Sequence, residues 1–202
     1  MIQQSSDIYT AIENRRTYYG ISKESTISDD RIHQVINKAV TVAPTAFNSQ
    51  SERVILFLGK QHDKLWDITM DSLREIVPKE KFAPTEQKIN SFRNGYGTVL
   101  FFEDEKVIQD LQKSYPLYKD NFPTWAQQSN GILQYIIWTL LEEEGLGASL
   151  QHYNPLIDHG VKSQWNLSDN WTLIAQMPFG KPTAKPQEKE IKPLDERIRV
   201  YQ

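Results

Sequence analysis

The segment from Pro123 to Glu144 constrains the fold more than any other stretch of the sequence. Its apolar residues cover a broad helical surface: Trp125, Ser129, Ile132, Ile136 and Leu140 lie on one stripe, and Leu133, Ile137 and Leu141 lie beside it. A helix with so wide an apolar surface is stable only when most of its sides are buried. The segment therefore predicts a long central helix around which the rest of the chain packs.

Four short segments rich in strand-forming residues predict strands that pack against this helix. They are Val54–Leu58, Thr98–Phe102, Ala148–Leu150 and Trp171–Met177. Helical patterns lie between them without regular alternation of strand and helix, which favours an α+β fold over a doubly wound sheet. The length of 202 residues matches one domain, so we expect a single domain over residues 1–202.

Composition excludes several functional classes. The chain has 23 Lys and Arg against 26 Asp and Glu, a formal charge of −3, so it lacks the basic character of a nucleic-acid-binding protein. It has no cysteine, which excludes disulfides, thiolate metal sites and a cysteine nucleophile. Residues 1–7 resemble no secretory signal, and no apolar run reaches the roughly 18 residues of a membrane helix. We expect a cytoplasmic protein that inserts in no membrane.

The tail over residues 178–202 predicts an arm. It contains Pro178, Pro182, Pro186 and Pro193, which favour an extended chain that could reach about 70 Å at ~3.3 Å per residue. Near its end, Ile198 and Val200 alternate with polar neighbours as in an edge strand. Because this segment can extend far from the domain and has no hydrophobic core of its own, we expect it to clasp a partner subunit.

The triplet Arg15-Arg16-Thr17 follows the first helical pattern of the chain. Two guanidinium groups and a hydroxyl are suited to binding a phosphate. Arginine near a helix C-terminus also simply complements the helix dipole. The triplet alone leaves both interpretations open.

A polar loop, Ala43–Gln50, lies between a helix and a strand. Its amides and hydroxyls, stiffened by Pro44, could read the heteroatom edge of a planar ring. The alternative is an ordinary turn whose polar side chains bind their own backbone.

The segment Gly145–Pro155 only nearly matches two known motifs. Gln151 stands where a nucleophile elbow needs its last glycine, and Leu150 stands where a dinucleotide fingerprint needs its third. His152 is either a polar ligand contact or a structural hydrogen-bonding residue. His159 follows it by seven positions, which is not the i, i+4 spacing of two metal ligands on a helix, so we expect no metal site.

Four lysines occur in the tail, at Lys181, Lys185, Lys189 and Lys192. Any one of them could neutralise a phosphate. A solvated linker explains most of them equally well.

Taken together and in order, these stretches resemble the nitroreductase family of FMN-dependent oxidoreductases over essentially the whole chain. The resemblance rests on Arg15–Thr17, Ala43–Gln50, Gly145–Gly147 and Pro178–Pro182. The variants Leu150–Pro155 and Lys192–Arg197 look most like the small subgroup labelled fatty-acid-repression or nitroreductase-like.

The resemblance implies an α+β fold with a central, mainly antiparallel sheet flanked by helices. It also implies a homodimer with exchanged C-terminal arms and two FMN molecules at the subunit interface. The implied FMN contacts form three sets: Arg15, Arg16 and Thr17 at the phosphate or ribityl chain, with Lys189 or Lys192 from the tail; Pro44, Thr45, Asn48 and Gln50 at the isoalloxazine, partly from the other subunit; and Leu150, Gln151 and His152 on its opposite side.

The activity implied by the resemblance is ping-pong transfer of hydride from NADH or NADPH through flavin N5 to quinones or nitroaromatic compounds. Two departures stand out: Tyr19 replaces a common Arg or Lys, and Ser51-Glu52 replaces the common Pro-Trp. Two other functions remain open at this point. One is a flavin-binding redox sensor with incidental turnover, and the other is an acidic interaction module without cofactor.

Overall fold

The central feature of the computed structural model, which describes residues 8–202, is a five-stranded sheet with helices on both faces. Our expectation that no signal segment is present concerns residues 1–7 and lies outside the described residues. The helices are α1 (Ile8–Asn14), α2 (Asp29–Val42), α3 (Gly59–Ile76), α4 (Phe82–Arg93), α5 (Glu105–Ser114), α6 (Phe122–Glu143) and α7 (Asp158–Trp165). The strands are β1 (Ile21–Ser22), β2 (Glu52–Leu58), β3 (Gly97–Asp104), β4 (Gly147–Ala148) and β5 (Trp171–Pro182).

The sheet has the order β1-β5-β3-β2, and β4 also pairs with β5. Every pair of named strands is antiparallel, which confirms the α+β fold with a mainly antiparallel sheet. In the β2–β3 pair, Glu52 lies opposite Glu103 and Leu58 lies opposite Gly97. This register matters for the site, because it places two carboxyl side chains side by side.

The apolar run in β3 reflects burial on both of its faces. Val99 and Phe101 pack with α2 and α6, whereas Leu100 and Phe102 pack with α3, α4 and α7. Successive side chains of a strand point to opposite faces, so a strand covered on both sides is apolar at every position. By the same alternation, Glu103 lies on the face covered by α6.

The long helix α6 is confirmed within one residue at each end of the prediction. Leu133, Ile137 and Leu141 are fully buried in the core. One side of the helix remains open among the described residues, because Tyr135 is exposed beside the exposed Ile8 and Ile12 of α1, and Ile132 is exposed one turn away on α6. Residues 8–202 therefore leave an apolar face on α1 and α6 uncovered.

The structure contains two elements that periodicity did not predict, β1 and α7. β1 has only two residues, and α7 has a single buried side chain, Val161, so neither leaves a pattern. β5 also runs past Met177 to Pro182, because proline lacks only the N–H donor and Pro178 O still accepts from Ser149 N at 3.2 Å.

Beyond β5, most residues of the tail are exposed. The tail first contacts the segment before β1, where Thr183 N donates to Gly20 O at 2.9 Å. Within the described chain, Ile198 and Val200 join no strand. No helix in residues 8–202 is long and apolar enough to cross a membrane.

Gly180 allows three segments to meet where the tail leaves the sheet. A Cβ at this position would lie 2.3 Å from Ser22 O and 3.0 Å from Tyr96 N, both backbone atoms that cannot move aside alone. We expect Gly180→Ala to destabilise the protein by about 3 kcal/mol, at the upper end for overpacking. Urea unfolding measures this, and Gly131→Ala is the control, since nothing lies within 4 Å of a Cβ there. Equal midpoints for the two variants would contradict the expectation.

Candidate functional site

The first group of predicted residues, Arg15–Thr17, lies beside β4. Thr17 forms a parallel bridge with Ala148, and Tyr18 N donates to Ala148 O at 3.0 Å. Gly147 permits this approach, because a Cβ there would lie 2.8 Å from the Tyr18 ring. The predicted motifs Arg15–Thr17 and Gly145–Gly147 are therefore neighbours in space.

The two arginines of this group have different surroundings. Arg15 stacks on α6, with its guanidinium carbon 4.5 Å from the ring centroid of Trp138. Burial raises the pKa of Glu142 above its ordinary value, and the nearby charge of Arg15 partly opposes this rise. Arg16 instead donates a hydrogen bond to the carbonyl oxygen of Gln187 in the tail. Arg15 is thus already opposed by a carboxylate, whereas among residues 8–202 the hydrogen-bond partner of Arg16 is a neutral oxygen, which leaves its charge available to a ligand.

Unpartnered polar atoms mark the same region. Within the part of the chain that the structure describes, the Arg15 Nε and Trp138 Nε1 groups are buried donors without an acceptor, and Glu142 Oε2 is a buried acceptor without a donor. Buried donors in folded proteins are nearly always hydrogen-bonded. These atoms indicate that another molecule, water or a second chain completes this end of the site.

The segment Leu150–His152 continues from β4. Gln151 exchanges two backbone hydrogen bonds with Gln176 of β5, at 2.7 and 2.9 Å, and its buried side chain donates to Ser149 Oγ at 3.0 Å. Leu150 is half-buried and His152 is exposed. Gln151 is therefore held rigidly, whereas His152 is free to contact a ligand. The predicted tail residues Lys189 and Lys192 are also exposed, and Lys189 follows Gln187 closely in the chain.

The second group, Pro44, Thr45, Asn48 and Gln50, lies on a loop built around a single helical turn at Ala46–Asn48. Phe47, Asn48 and Gln50 have positive φ angles of 55°, 51° and 47°, which non-glycine residues rarely adopt. Such a backbone persists only where its surroundings enforce it. Here Gln50 N donates to Thr45 Oγ1 at 3.2 Å and Ala46 N donates to Ser129 Oγ of α6 at 3.3 Å.

The two groups lie toward opposite ends of α6. The loop is fixed at Ser129, whereas Tyr18 contacts Glu142, and these helix positions are about 20 Å apart at ~1.5 Å per residue. The chain thus brings Arg15–Thr17 together with Leu150–His152, but it does not bring either to Pro44–Gln50. One chain alone does not assemble all the predicted contacts into one cavity.

A cavity of about 410 Å³ opens at the loop end of α6. It is lined only by uncharged side chains, namely Pro44, Thr45, Ala46, Phe47, Trp125, Gln128, Ser129 and Ile132. This volume lies in the range that holds small organic ligands. Phe47, Trp125 and Gln128 were not among the residues predicted from the sequence, although Phe47 lies within the predicted loop.

A buried polar network beneath the loop was also missed. Glu103 is 0% exposed, and its Oε1 accepts from Asn130 Nδ2 at 2.7 Å, while Gln134 Nε2 donates to Asn130 Oδ1 at 2.6 Å. Burial raises the pKa of Glu103 to about 7. The signal available in the sequence was the pair of amides, Asn130 and Gln134, on an otherwise apolar stripe.

An antiparallel sheet of this strand order packed against one long helix is the fold of solved nitroreductases. Nitroreductase CinD from Lactococcus lactis, solved in complex with chloramphenicol, superposes with a TM-score of 0.89 at 40% identity, covering 97% of this chain and 100% of that one. Its complex with 4-nitrophenol gives 0.88 at the same identity and coverage. A nitroreductase-fold protein from Desulfovibrio desulfuricans, solved with FMN, shares the fold alone, with a TM-score of 0.71 at 18% identity and 98% coverage of both chains.

Sequence comparison agrees with the fold. Nitroreductase FRM2 of Saccharomyces cerevisiae is 34% identical over 193 residues, which is 95% of each chain. The model of the nitroreductase family matches residues 12–181. The chain belongs to the nitroreductase family of oxidoreductases, whose members are generally FMN-dependent.

Proposed function

We propose that this protein is an FMN-dependent oxidoreductase that takes hydride from NADH or NADPH at flavin N5 and passes it to quinones or nitroaromatic compounds in a ping-pong cycle. We further propose that it acts as a homodimer with two FMN molecules at the interface. The observation that carries the proposal is the separation of the two groups of predicted contacts along α6. A second chain, packed beside the first, supplies the missing half of each site.

The donor set near β4 fits FMN. Arg16 offers an uncompensated guanidinium and Thr17 a hydroxyl, as a phosphate requires. The buried N–H groups of Arg15 and Trp138 also need an acceptor. Lys189 or Lys192 adds a second cation from the tail, because Arg16 already holds the tail at Gln187.

Exposed apolar surface supports a second copy as the partner. Ile8, Ile12, Ile132 and Tyr135 form an open face on α1 and α6, and Ile191, Leu194, Val200 and Tyr201 are exposed in the tail. Contiguous apolar patches of this kind mark interaction surfaces. In the proposed dimer the faces pack together, and each tail clasps the other subunit.

In the proposed enzyme the flavin supplies hydride transfer at N5, and the protein supplies binding, orientation and charge. Arg16, Thr17 and a tail lysine hold the phosphate. Pro44, Thr45, Asn48 and Gln50 of one subunit position the ring bound by the other, and the rigid backbone of their loop limits access of water. Gln151 and His152 act as polar contacts on the opposite side of the ring, where negative charge develops on reduction.

The absorption spectrum of the purified protein tests the proposal. We expect flavin bands at about one FMN per chain, oxidation of NADH or NADPH with menadione or a nitrofuran as acceptor, and a light-scattering mass twice the 23.5 kDa of the chain. Bound flavin without turnover would support a redox sensor instead. A colourless monomer that gains no flavin from added FMN would overturn the proposal.

A further inference from the structure

A buried amide interrupts the apolar run of β5. Gln176 is 0% exposed, and so are its neighbours Ala175 and Met177, which pack in the hydrophobic core. Burying an amide costs free energy unless its polar atoms are hydrogen-bonded, so an apolar side chain would suit this strand position better. The side chain of Gln176 therefore needs partners inside the protein.

The side chain of Gln176 has two partners in the segment that follows Gln151. Its Oε1 accepts from Tyr153 N at 2.7 Å, and its Nε2 donates to Asn154 Oδ1 at 3.4 Å. The first bond fixes the orientation of the amide, because a backbone N–H can donate only to its oxygen. The backbone of Gln176 also exchanges two hydrogen bonds with that of Gln151, at 2.7 and 2.9 Å. A single residue thus holds positions 151, 153 and 154.

His152 lies between the residues that Gln176 holds. It belongs to no helix or strand, so regular backbone pairing does not fix it. Hydrogen bonds from Gln176 reach the residue on either side of it, and the ring of Tyr153 packs edge-on against that of Trp66, with centroids 6.0 Å apart. His152 itself is exposed. Its imidazole is therefore accessible to a ligand, while the backbone on both sides of it is held in place.

We propose that Gln176 is a positioning residue, which fixes the His152 imidazole so that it can donate to the reduced flavin ring. This inference rests on the proposed function, in which His152 contacts the side of the ring where negative charge develops. A donor stabilises such charge best when it is held in place before the reaction, because no reorganisation is then needed. Gln176 is buried and acts through the segment that it holds.

The first test does not depend on flavin. In the purified full-length protein, we expect Gln176→Leu to speed solvent exchange of the Tyr153 amide proton about tenfold, because the acceptor of that proton is lost. The amide of Gln151 should exchange as before, since it pairs with the backbone of Gln176. Hydrogen exchange followed by NMR measures both amides in one sample.

The matched control for this test is Thr69→Val, which removes a buried side-chain hydrogen bond within α3. It should change the exchange of neither amide. Equal exchange of the Tyr153 amide in the wild type and in Gln176→Leu would overturn the proposal.

The second test measures the reduction potential of the bound flavin. We expect Gln176→Leu to keep its flavin and to favour the reduced form about tenfold less, a shift of about 30 mV to more negative potential for two electrons. His152→Ala should produce a similar shift. Because Gln176 acts through His152, the double variant should shift no further than His152→Ala alone. Additive shifts in the double variant would contradict the proposal.

Gln176→Glu provides a rescue, and it decides the question if Gln176→Leu does not fold. A protonated carboxyl offers the same acceptor and donor as the amide, whereas an ionised one has no donor for Asn154 Oδ1. Burial favours the protonated form, so we expect the wild-type potential at about pH 5 and the shifted potential at about pH 9, each compared with wild type at the same pH. A full shift already present at about pH 5 would refute the positioning role.

The outcomes separate this inference from the proposed function. An unchanged potential in Gln176→Leu, with flavin bound, would overturn the role of Gln176 and leave the oxidoreductase intact. Absence of flavin from the wild-type protein would overturn the proposed function and this inference together.

Discussion

Arg16→Ala is expected to yield a folded protein that has lost most of its flavin. Arg16 is half-buried and has a neutral carbonyl, that of Gln187, as its partner, so its charge is available to the phosphate. A hydrogen bond to a charged group is worth about 1.5–3 kcal/mol, which corresponds to a tenfold to hundredfold weaker affinity for FMN. The ratio of flavin to protein absorbance and a titration with FMN measure the loss.

The control for this prediction is Arg74→Ala, which removes an exposed cation from α3 without touching the site. Circular dichroism should show the same helix content in both variants and in the wild type. Arg16→Lys should recover only part of the affinity, because lysine keeps the charge but not the paired N–H donors of a guanidinium. Full flavin content and full activity in Arg16→Ala would show that the phosphate is held elsewhere.

Glu103→Gln is expected to stabilise the protein at pH 8 and to remove part of its pH dependence. Burial raises the pKa of Glu103 from 4.5 to about 7, so the folded protein keeps a proton that the unfolded chain loses. Between about pH 4.5 and 7 the free energy of unfolding therefore falls as the pH rises. Above pH 7 Glu103 is ionised in the folded protein as well, and the stability that its protonated form provided is lost. Across the range from about pH 4.5 to 7 the ionisation of Glu103 lowers the free energy of unfolding by about 3 kcal/mol.

The surroundings of Glu103 support this direction of the shift. Glu52 on β2 lies directly opposite and Glu105 is nearby, and both oppose ionisation of Glu103; Asn130 of α6 and Ser51 favour it. Glutamine retains an oxygen to accept from Asn130 and adds an amide that can donate to Ser51 Oγ. Urea midpoints at pH 5, 6, 7 and 8 measure the effect, and the exposed Glu190→Gln is the control. Parallel pH profiles for wild type and Glu103→Gln would contradict the prediction.

The elements that the sequence predicted well are those with a long or dense apolar pattern. α6 and β3 were found because each leaves an unambiguous run of buried positions. α7 was missed because its single buried residue, Val161, creates no period. The extension of β5 through Pro178 depends on pairing with β3 and β4, and no local pattern encodes such non-local contacts.

The candidate site was predictable as a set of residues, but not as an arrangement. Short motifs identified Arg16, Thr45 and Gln151, yet only the fold shows that the loop of Thr45 and the segment of Arg16 contact α6 at positions about 20 Å apart, at ~1.5 Å per residue. The ring of Phe47 contacts four other aromatic rings, those of Tyr115, Tyr118, Phe122 and Trp125, and no local pattern predicts these contacts. Glu103 and Asn130 likewise meet across a strand and a helix, so neither predicts the other.

The attachment of both groups to α6 restricts how the length of this protein can change. One residue inserted between Ser129 and Glu142 would turn the rest of the helix by about 100° and shift it by about 1.5 Å. In the proposed dimer, that single change would misalign both flavin sites, because each site uses opposite ends of two copies of the helix. The same insertion in the turn at Pro116–Tyr118, before α6 begins, would leave the spacing between these two positions of the helix unchanged.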